Sequence, residues 1–160
     1  MVHAKIHQMR VVHVVAISMA LAVAGCGAAG PTQHFAATAN AICKATNAQI
    51  EALPAPGRSP QSEASVLRKG FRYARTEVTK LDQLTAPGKR EPIYVTALQS
   101  SQRLLALGKR EIADFSAGRV AAANKLLDEG DEFSGETDAA MNALGATQCA
   151  ADPQPNGVTR

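Results

Sequence analysis

The chain has 160 residues, of which 46% are hydrophobic, with 17 basic and 14 acidic side chains and a formal net charge of +3. This small basic excess gives no argument for nucleic-acid binding. Aromatic residues make up 4% and tryptophan is absent, which argues against a base-stacking surface. The residues after position 25 are enough for one domain with a hydrophobic core but hardly for two.

The N-terminal region has the pattern of a secretory signal. The basic residues Lys5 and Arg10 precede a largely apolar stretch that runs from Val11 to Ala24. This stretch is too short to cross a bilayer as a helix, which takes about 20 residues. A cleaved signal peptide is therefore favoured over a transmembrane anchor.

The apolar stretch leads into the run Val23-Ala24-Gly25-Cys26, which resembles the lipobox of bacterial lipoproteins. The resemblance implies that residues 1–25 are removed and that the Cys26 thiol carries a diacylglycerol as the new N-terminus. Because two or more acyl chains hold a protein durably on a bilayer, the expected location is the extracytoplasmic face of the cell membrane. A plain secretory signal cut elsewhere is the alternative, since Ala22-Val23-Ala24 fits the Ala-x-Ala cleavage pattern.

With Cys26 assigned to lipid, two cysteines are left, Cys43 and Cys149. Outside the reducing cytosol such a pair is expected to form a disulfide. Two unrelated buried thiols are the alternative interpretation. The bond would close a loop of about 100 residues, for which a chain-entropy treatment gives roughly 4.7 kcal/mol of stabilisation.

Residues 26–33 are mostly small, include glycine and proline, and show no periodicity, so a flexible tether is predicted there. Beyond the tether, apolar residues recur three or four positions apart in four segments, which is typical of amphipathic helices. Ser59 followed by Pro60 is typical of a helix start. The predicted breaks between the helices are Pro54–Pro60, Ala86–Gly88 and Ser116–Gly118.

Each predicted helix has an inward stripe. The stripes are Phe35, Ala39, Ile42, Thr46, Ile50 and Leu53; Leu67, Phe71, Ala74, Val78 and Leu81; Tyr94, Leu98, Ser101, Leu105, Gly108, Ile112 and Phe115; and Val120, Ala123, Leu127, Gly130, Ser134, Thr137, Met141 and Leu144. Gly130 and Gly135 weaken the fourth helix, since a glycine inside a helix costs about 1 kcal/mol relative to alanine.

Four helices joined by short turns predict an all-α fold, an antiparallel four-helix bundle of up-down-up-down topology closed by one disulfide. The bundle is expected to span residues 34–150 and to be followed by a flexible tail at 151–160. In this topology the first half of the first helix and the end of the fourth lie toward the same end, where Cys43 and Cys149 can meet.

The residues that usually carry catalysis are scarce. His34 is the one histidine after position 25, so histidine-based catalytic sets and zinc sites lack members. The acidic run Asp128–Glu132 lacks the glycine and glutamate positions of a calcium loop. We expect no enzyme, metal site or cofactor, and instead a binding or interaction module.

Charge is unevenly distributed along the chain. Arg68, Arg72 and Arg75 share one side of the second helix, whereas residues 128–152 contain acidic residues and no basic one. The arginines are a candidate docking face for anionic lipid, an acidic envelope polymer or an envelope protein. Alternatively, both faces are solvated and held by ordinary helix ion pairs. Such pairs would be Glu77 with Lys80 and Arg110 with Asp114.

Small and hydroxyl-bearing residues interrupt the inward stripes. They either let the helices approach closely or leave a cavity that carries a small apolar ligand or lipid. The polar groups that would orient such a ligand are Thr46, Ser101, Ser134 and Thr137.

Two segments, Phe35–Pro54 and Leu144–Cys149, look like small secreted or lipid-anchored helical proteins of high-GC Gram-positive bacteria. The resemblance covers the two ends of the predicted domain. It also implies the bridge between Cys43 and Cys149, and it brings no activity or binding residues with it.

The lipobox predicts the mass of the protein isolated from its cell membrane. Intact-mass spectrometry is expected to show a chain that begins at Cys26 and carries acyl chains on that residue. An unmodified Cys26 sulfur or a retained leader peptide would contradict the lipobox interpretation.

Overall fold

The computed structural model describes residues 30–151, 153 and 155. This part of the chain forms four α-helices and two short 3-10 turns, without a strand, so the all-α prediction is confirmed. The helices are α1 (Pro31–Glu51), α2 (Pro60–Leu81), α3 (Glu91–Ser116) and α4 (Val120–Ala143). The turns are Gly88–Arg90 and Thr147–Ala150, and the second is called the C-terminal turn below.

The helix starts lie at or within a few residues of their predicted positions. The Ser59 hydroxyl caps α2 by accepting a hydrogen bond from the backbone N–H of Ser62 at 3.2 Å. α1 begins at Pro31, three residues before the predicted boundary at residue 34, because proline fits the first turn of a helix and needs no partner for a backbone N–H there. Gly118, at φ +74°, adopts the left-handed conformation that separates α3 from α4.

The larger cluster of buried side chains joins the start of α1, the end of α2, the start of α3 and the end of α4. At its centre the rings of Phe35 and Tyr94 pack edge to face, with centroids 4.9 Å apart. The Tyr94 hydroxyl donates a hydrogen bond to the Leu81 carbonyl. Burial, followed by the nearby charge of Asp82, raises the pKa of Tyr94 to about 12.

A smaller cluster lies at the other ends of three helices. It consists of Ala64 near the start of α2, Phe115 at the end of α3 and Ala123 near the start of α4, with Leu67 packed against it. The two clusters therefore fix α2, α3 and α4 to one another at both ends.

The inward face of α4 differs from the predicted one. Val120 and Leu127 were expected inside but are 39% and 46% exposed, whereas Leu126 is buried. Leu126 and Leu127 lie three and four residues beyond Ala123, so both spacings satisfy a helical repeat. α4 nevertheless runs through Gly130 without a break.

The chain after α4 is covalently attached to α1. Cys149 forms a disulfide with the fully buried Cys43, and their Cα atoms are 5.0 Å apart, so the predicted bridge is confirmed. Gly145 turns the chain toward α1 at φ +79°, and a Cβ there would lie 3.4 Å from the Cβ of Ala36. A side chain at this position would be strained by the backbone conformation.

Two asparagines of α1 bind the same segment on either side of the disulfide. The Asn40 amide donates to the Gly145 carbonyl at 3.0 Å and accepts from the Gln148 backbone N–H at 2.8 Å. The Asn47 amide donates to the Gln148 carbonyl at 2.8 Å. The segment 145–149 is thus held by hydrogen bonds as well as by the covalent bond.

Helices adjacent in sequence pack against each other, and α3 makes its most extensive contact with α4. Within the described residues, α1 and α4 do not pack closely along their lengths. The C-terminal turn contacts both helices and so connects them. Between residues 30 and 151 no helix combines the length and the apolarity needed to cross a membrane.

Removing the disulfide is expected to destabilise the fold. The two cysteines are 106 residues apart, so the C43A/C149A variant frees a long loop in the unfolded chain and should lower the free energy of unfolding by about 2–5 kcal/mol. Urea unfolding of both proteins measures the difference. Wild-type protein treated with reductant should behave like the variant, and an unchanged midpoint in reductant would contradict the expectation.

Candidate functional site

A cavity of about 300 Å³ lies between α2, α3 and α4. We call it the Glu77 cavity. Its apolar wall is formed by Phe71, Ala74, Val78, Leu104 and Leu105. Its polar wall is formed by Glu77, Ser101, Ser134, Thr137 and Asp138. The chain after α4 contributes Cys149, Ala151 and Pro153.

The structure brings together the hydroxyl residues that the sequence singled out. Ser101, Ser134 and Thr137 line the Glu77 cavity. Thr46 hydrogen-bonds to Glu77 from α1. Three of the four residues therefore line one cavity, and the fourth, Thr46, contacts Glu77 at its wall.

Glu77 itself was missed, because it was expected to pair with Lys80 on a solvated face. Its Oε2 atom is buried and has no hydrogen-bond partner among the residues that the structure describes. Burial raises the pKa of Glu77, and the hydrogen bond from Thr46 partly opposes this rise. The sequence did indicate that the Glu77 side chain points inward. Glu77 lies three residues after Ala74 and four before Leu81, which places it on the inward face of α2.

Two hydroxyl groups in this cavity, those of Ser101 and Thr137, already donate their protons. The Ser101 hydroxyl donates to the Ala97 carbonyl at 2.8 Å, and the Thr137 hydroxyl donates to the Phe133 carbonyl at 2.9 Å. Their oxygen atoms are left as acceptors, as are the carboxylate oxygens of Glu77. The polar wall is therefore suited to a ligand that donates hydrogen bonds.

A second cavity of about 440 Å³ lies beside the first, and the side chains of Phe71 and Pro153 line both. We call it the Glu111 cavity. The Phe71 ring lies against Gly108, where a Cβ would approach the ring Cδ2 atom to 3.4 Å. Gly108 thus allows the Phe71 ring to pack closely against α3. This ring lies between the two cavities.

Glu111 was also missed by the sequence analysis. Its side chain is buried, and within the described part of the chain its Oε1 atom has no hydrogen-bond partner. Burial, followed by repulsion from Glu63, raises the pKa of Glu111 to about 7. The four-residue spacing from Leu107 and to Phe115, both buried, is the feature that would have placed it inside.

The three arginines of the predicted docking face are exposed on α2. The Arg68 guanidinium donates to the Ser116 hydroxyl at 3.1 Å, which ties it to the end of α3. Arg72 and Arg75 line a shallow surface depression together with Thr76, Thr79 and Lys80.

The remaining predicted features lie elsewhere. His34 is exposed near the start of α1, in a depression on the larger core cluster. Asp114 pairs with Arg119, five residues on, rather than with Arg110 as expected, because Arg119 follows the turn at Gly118 and reaches back along α3. Cys26 lies outside the described residues. Among residues 30–151, 153 and 155 no group of three or more potential ligands is arranged to hold a metal ion.

Comparison of the chain with protein-family models, curated proteins and solved structures finds no match. The function is therefore inferred from the geometry of the two cavities.

The raised pKa of Glu111 predicts a pH-dependent stability. In the unfolded chain this carboxyl ionises near its ordinary pKa of 4.5, while in the fold it keeps its proton up to about pH 7. Between these values the folded protein binds more protons, so the free energy of unfolding falls as pH rises, by at most about 1.4 kcal/mol per pH unit.

The E111Q variant removes this titration. Urea unfolding at several pH values should show that its stability relative to wild type increases from about pH 4.5 to about pH 7. E132Q, at an exposed glutamate, is the matched control and should follow wild type. A parallel pH dependence of E111Q and wild type would contradict the expectation.

Proposed function

We propose that this protein is a lipid-anchored, extracytoplasmic binding module that holds a small ligand in the Glu77 cavity. One observation carries the proposal, namely that Glu77 presents a buried carboxylate oxygen without a partner at the wall of a 300 Å³ cavity. An unpaired buried acceptor costs about 1–3 kcal/mol. A ligand that donates a hydrogen bond to it would recover this free energy on binding.

The lining of the Glu77 cavity defines the kind of ligand. Carboxylate and hydroxyl oxygens form one wall, and the side chains of Phe71, Leu104 and Leu105 form the other. The ligand is therefore a small molecule with an N–H or O–H group at one end and an apolar body. Cavities of about this volume and mixed lining are typical of small-molecule sites.

Binding is favoured over catalysis by the state of the hydroxyl groups. A serine or threonine nucleophile needs a base within hydrogen-bond reach to take its proton. The protons of Ser101 and Thr137 instead point to carbonyl oxygens of their own helices. These hydroxyls are placed to accept hydrogen bonds from a bound molecule.

The lipid anchor and the bundle topology are parts of the same proposal. The lipobox supports acylation at Cys26, and α1 begins only five residues later, at Pro31. The larger core cluster gathers the start of α1 and α3 with the end of α2 and α4, which supports an up-down-up-down bundle. In this arrangement the end that carries Phe35 and Tyr94 lies nearest the membrane.

A second candidate function is docking to a polyanion through the arginine face. It is favoured by the shallow depression in which Arg72, Arg75 and Lys80 lie together. A phosphate or carboxylate of an envelope polymer would fit such a depression, because guanidinium groups bind these anions through paired hydrogen bonds. This contact would leave the Glu77 cavity free.

Filling the Glu77 cavity is expected to remove a bound ligand. Native mass spectrometry of the full-length protein isolated from its own envelope should show a small non-covalent adduct, and S134L should lose it because leucine occupies the cavity. E77Q should lower the adduct fraction by about tenfold or more, since a hydrogen bond to a charged group contributes about 1.5–3 kcal/mol.

The matched control for S134L is S65L, at an exposed serine of α2 that lies outside the cavity. This variant should keep the adduct at the wild-type level. An adduct that survives S134L, or a wild-type protein without any adduct, would rule out the Glu77 cavity as the binding site.

Charge reversal tests the docking candidate. Each basic residue near an anionic surface contributes about 1 kcal/mol, so R72E/R75E should weaken retention on a polyanionic resin by more than tenfold at low salt. The control is K109E/R110E, at two exposed residues of α3. Retention that is insensitive to salt, or equal losses in both variants, would argue against a specific arginine face.

A further inference from the structure

The Glu111 cavity has a lining that differs from that of the Glu77 cavity. Its walls come from the end of α1, the following loop, and α2, and they are predominantly apolar. They include Ile50, Leu53, Pro56, Val66 and Leu67. The charged side chains in the described lining are two carboxylates, Glu63 and Glu111. Glu63 also lines a neighbouring surface depression, to which Arg58 contributes.

Glu111 meets the physical requirements for holding a ligand. Its side chain is 9% exposed, it lines the cavity, and its Oε1 atom is buried without a hydrogen-bond partner. A buried acceptor left unpaired destabilises the fold. The neighbouring Glu63 adds repulsion, which is reflected in the raised pKa of Glu111. A positive group between the two carboxylates would relieve both effects.

We propose that the Glu111 cavity binds a hydrophobic amine, a molecule with a cationic ammonium group at Glu111 and Glu63 and an apolar chain along Leu53, Val66 and Leu67. An ammonium group donates three hydrogen bonds and carries the charge that two facing carboxylates favour. The apolar walls bury the hydrocarbon part. A carboxylate of the same size would be repelled, and a neutral alcohol would lack the charge.

The same geometry argues against a bare divalent cation as the occupant. Calcium takes six to eight oxygen ligands, and magnesium requires an octahedral set that usually includes several waters. Two glutamates in an otherwise apolar wall do not provide such a set. The volume of about 440 Å³ suits an organic molecule of small to moderate size.

This amine site is separate from the one on which the proposed function rests. Phe71 lies between the two cavities and lines both. The carboxylates belong to different helices, Glu77 to α2 and Glu111 to α3. Ser134 lines only the Glu77 cavity and Glu111 only the Glu111 cavity, so S134L and E111Q each alter one of the two sites.

Isothermal titration calorimetry of the full-length protein with three octyl compounds tests the amine site. The probes are octylammonium, octanol and octanoate, which share one apolar chain and differ in the charge of the head group. Octylammonium is expected to bind at least about tenfold more tightly than octanol, and octanoate more weakly than both. E111Q should weaken octylammonium binding by about tenfold or more while leaving octanol binding unchanged.

Two further variants make the result decisive. The same titrations are made in the S134L background, in which leucine fills the Glu77 cavity, because that cavity is also proposed to take a molecule with an N–H group and an apolar body. The preference for octylammonium should persist in S134L. E63Q should weaken octylammonium binding several-fold, and it provides an independent measurement in case E111Q does not fold. Octanol binding as tight as octylammonium binding, unchanged octylammonium affinity in both E111Q and E63Q, or loss of the octylammonium preference in S134L would each overturn the amine site.

Discussion

The attachment of residues 145–149 to α1 is the contact that joins the first helix to the chain after the fourth. α1 packs along α2, but it makes no comparable direct contact with α4, and the C-terminal turn occupies the region between them. Three residues of one face of α1, spaced three and four apart, hold that turn through a disulfide and asparagine hydrogen bonds. These residues are Asn40, Cys43 and Asn47. Cys149 of the same segment also lines the Glu77 cavity. One set of contacts therefore both connects α1 to the chain after α4 and forms part of the cavity wall.

Two glutamates with buried oxygen atoms, the half-buried Glu77 and the buried Glu111, are the main departure from an apolar interior. Glu77 and Glu111 each present an oxygen atom that lacks a partner among the described residues, and such atoms destabilise a fold. Proteins usually break a rule of core composition where function requires it. That both glutamates line cavities, rather than packed core, agrees with this general tendency.

Much of the scaffold could be predicted because its determinants are local. Proline and serine at helix starts, such as Ser59 and Pro60, act within one turn, and the repeat of apolar residues fixes the number of helices. The disulfide could be predicted from the resemblances and the number of cysteines. The inward face of α4 could not be predicted exactly. Leu126 and Leu127 follow Ala123 by three and four residues, and both spacings are compatible with a helical repeat.

The candidate sites were predicted only in part, for a related reason. The hydroxyl residues were recognised because they interrupt apolar stripes, as Ser101 does. Glu77 and Glu111 were not recognised, because a glutamate next to a lysine or arginine in a helix normally forms an ion pair in solvent. Whether such a side chain turns inward depends on how the neighbouring helices pack, which is information that a single helix sequence does not contain.

Because the two bridging cysteines lie far apart in the sequence, only a chain that has been synthesised to Cys149 can form the disulfide. Cys43 lies in the first helix and is therefore synthesised before most of the helical region. Its partner Cys149 follows 106 residues later. Because synthesis proceeds from the N-terminus, any chain that stops before α4 is complete contains the Cys43 thiol in α1 but lacks its partner Cys149. Such a fragment also lacks the turn that covers this side of α1, and it would present a reactive sulfur to quality-control factors or to other thiols.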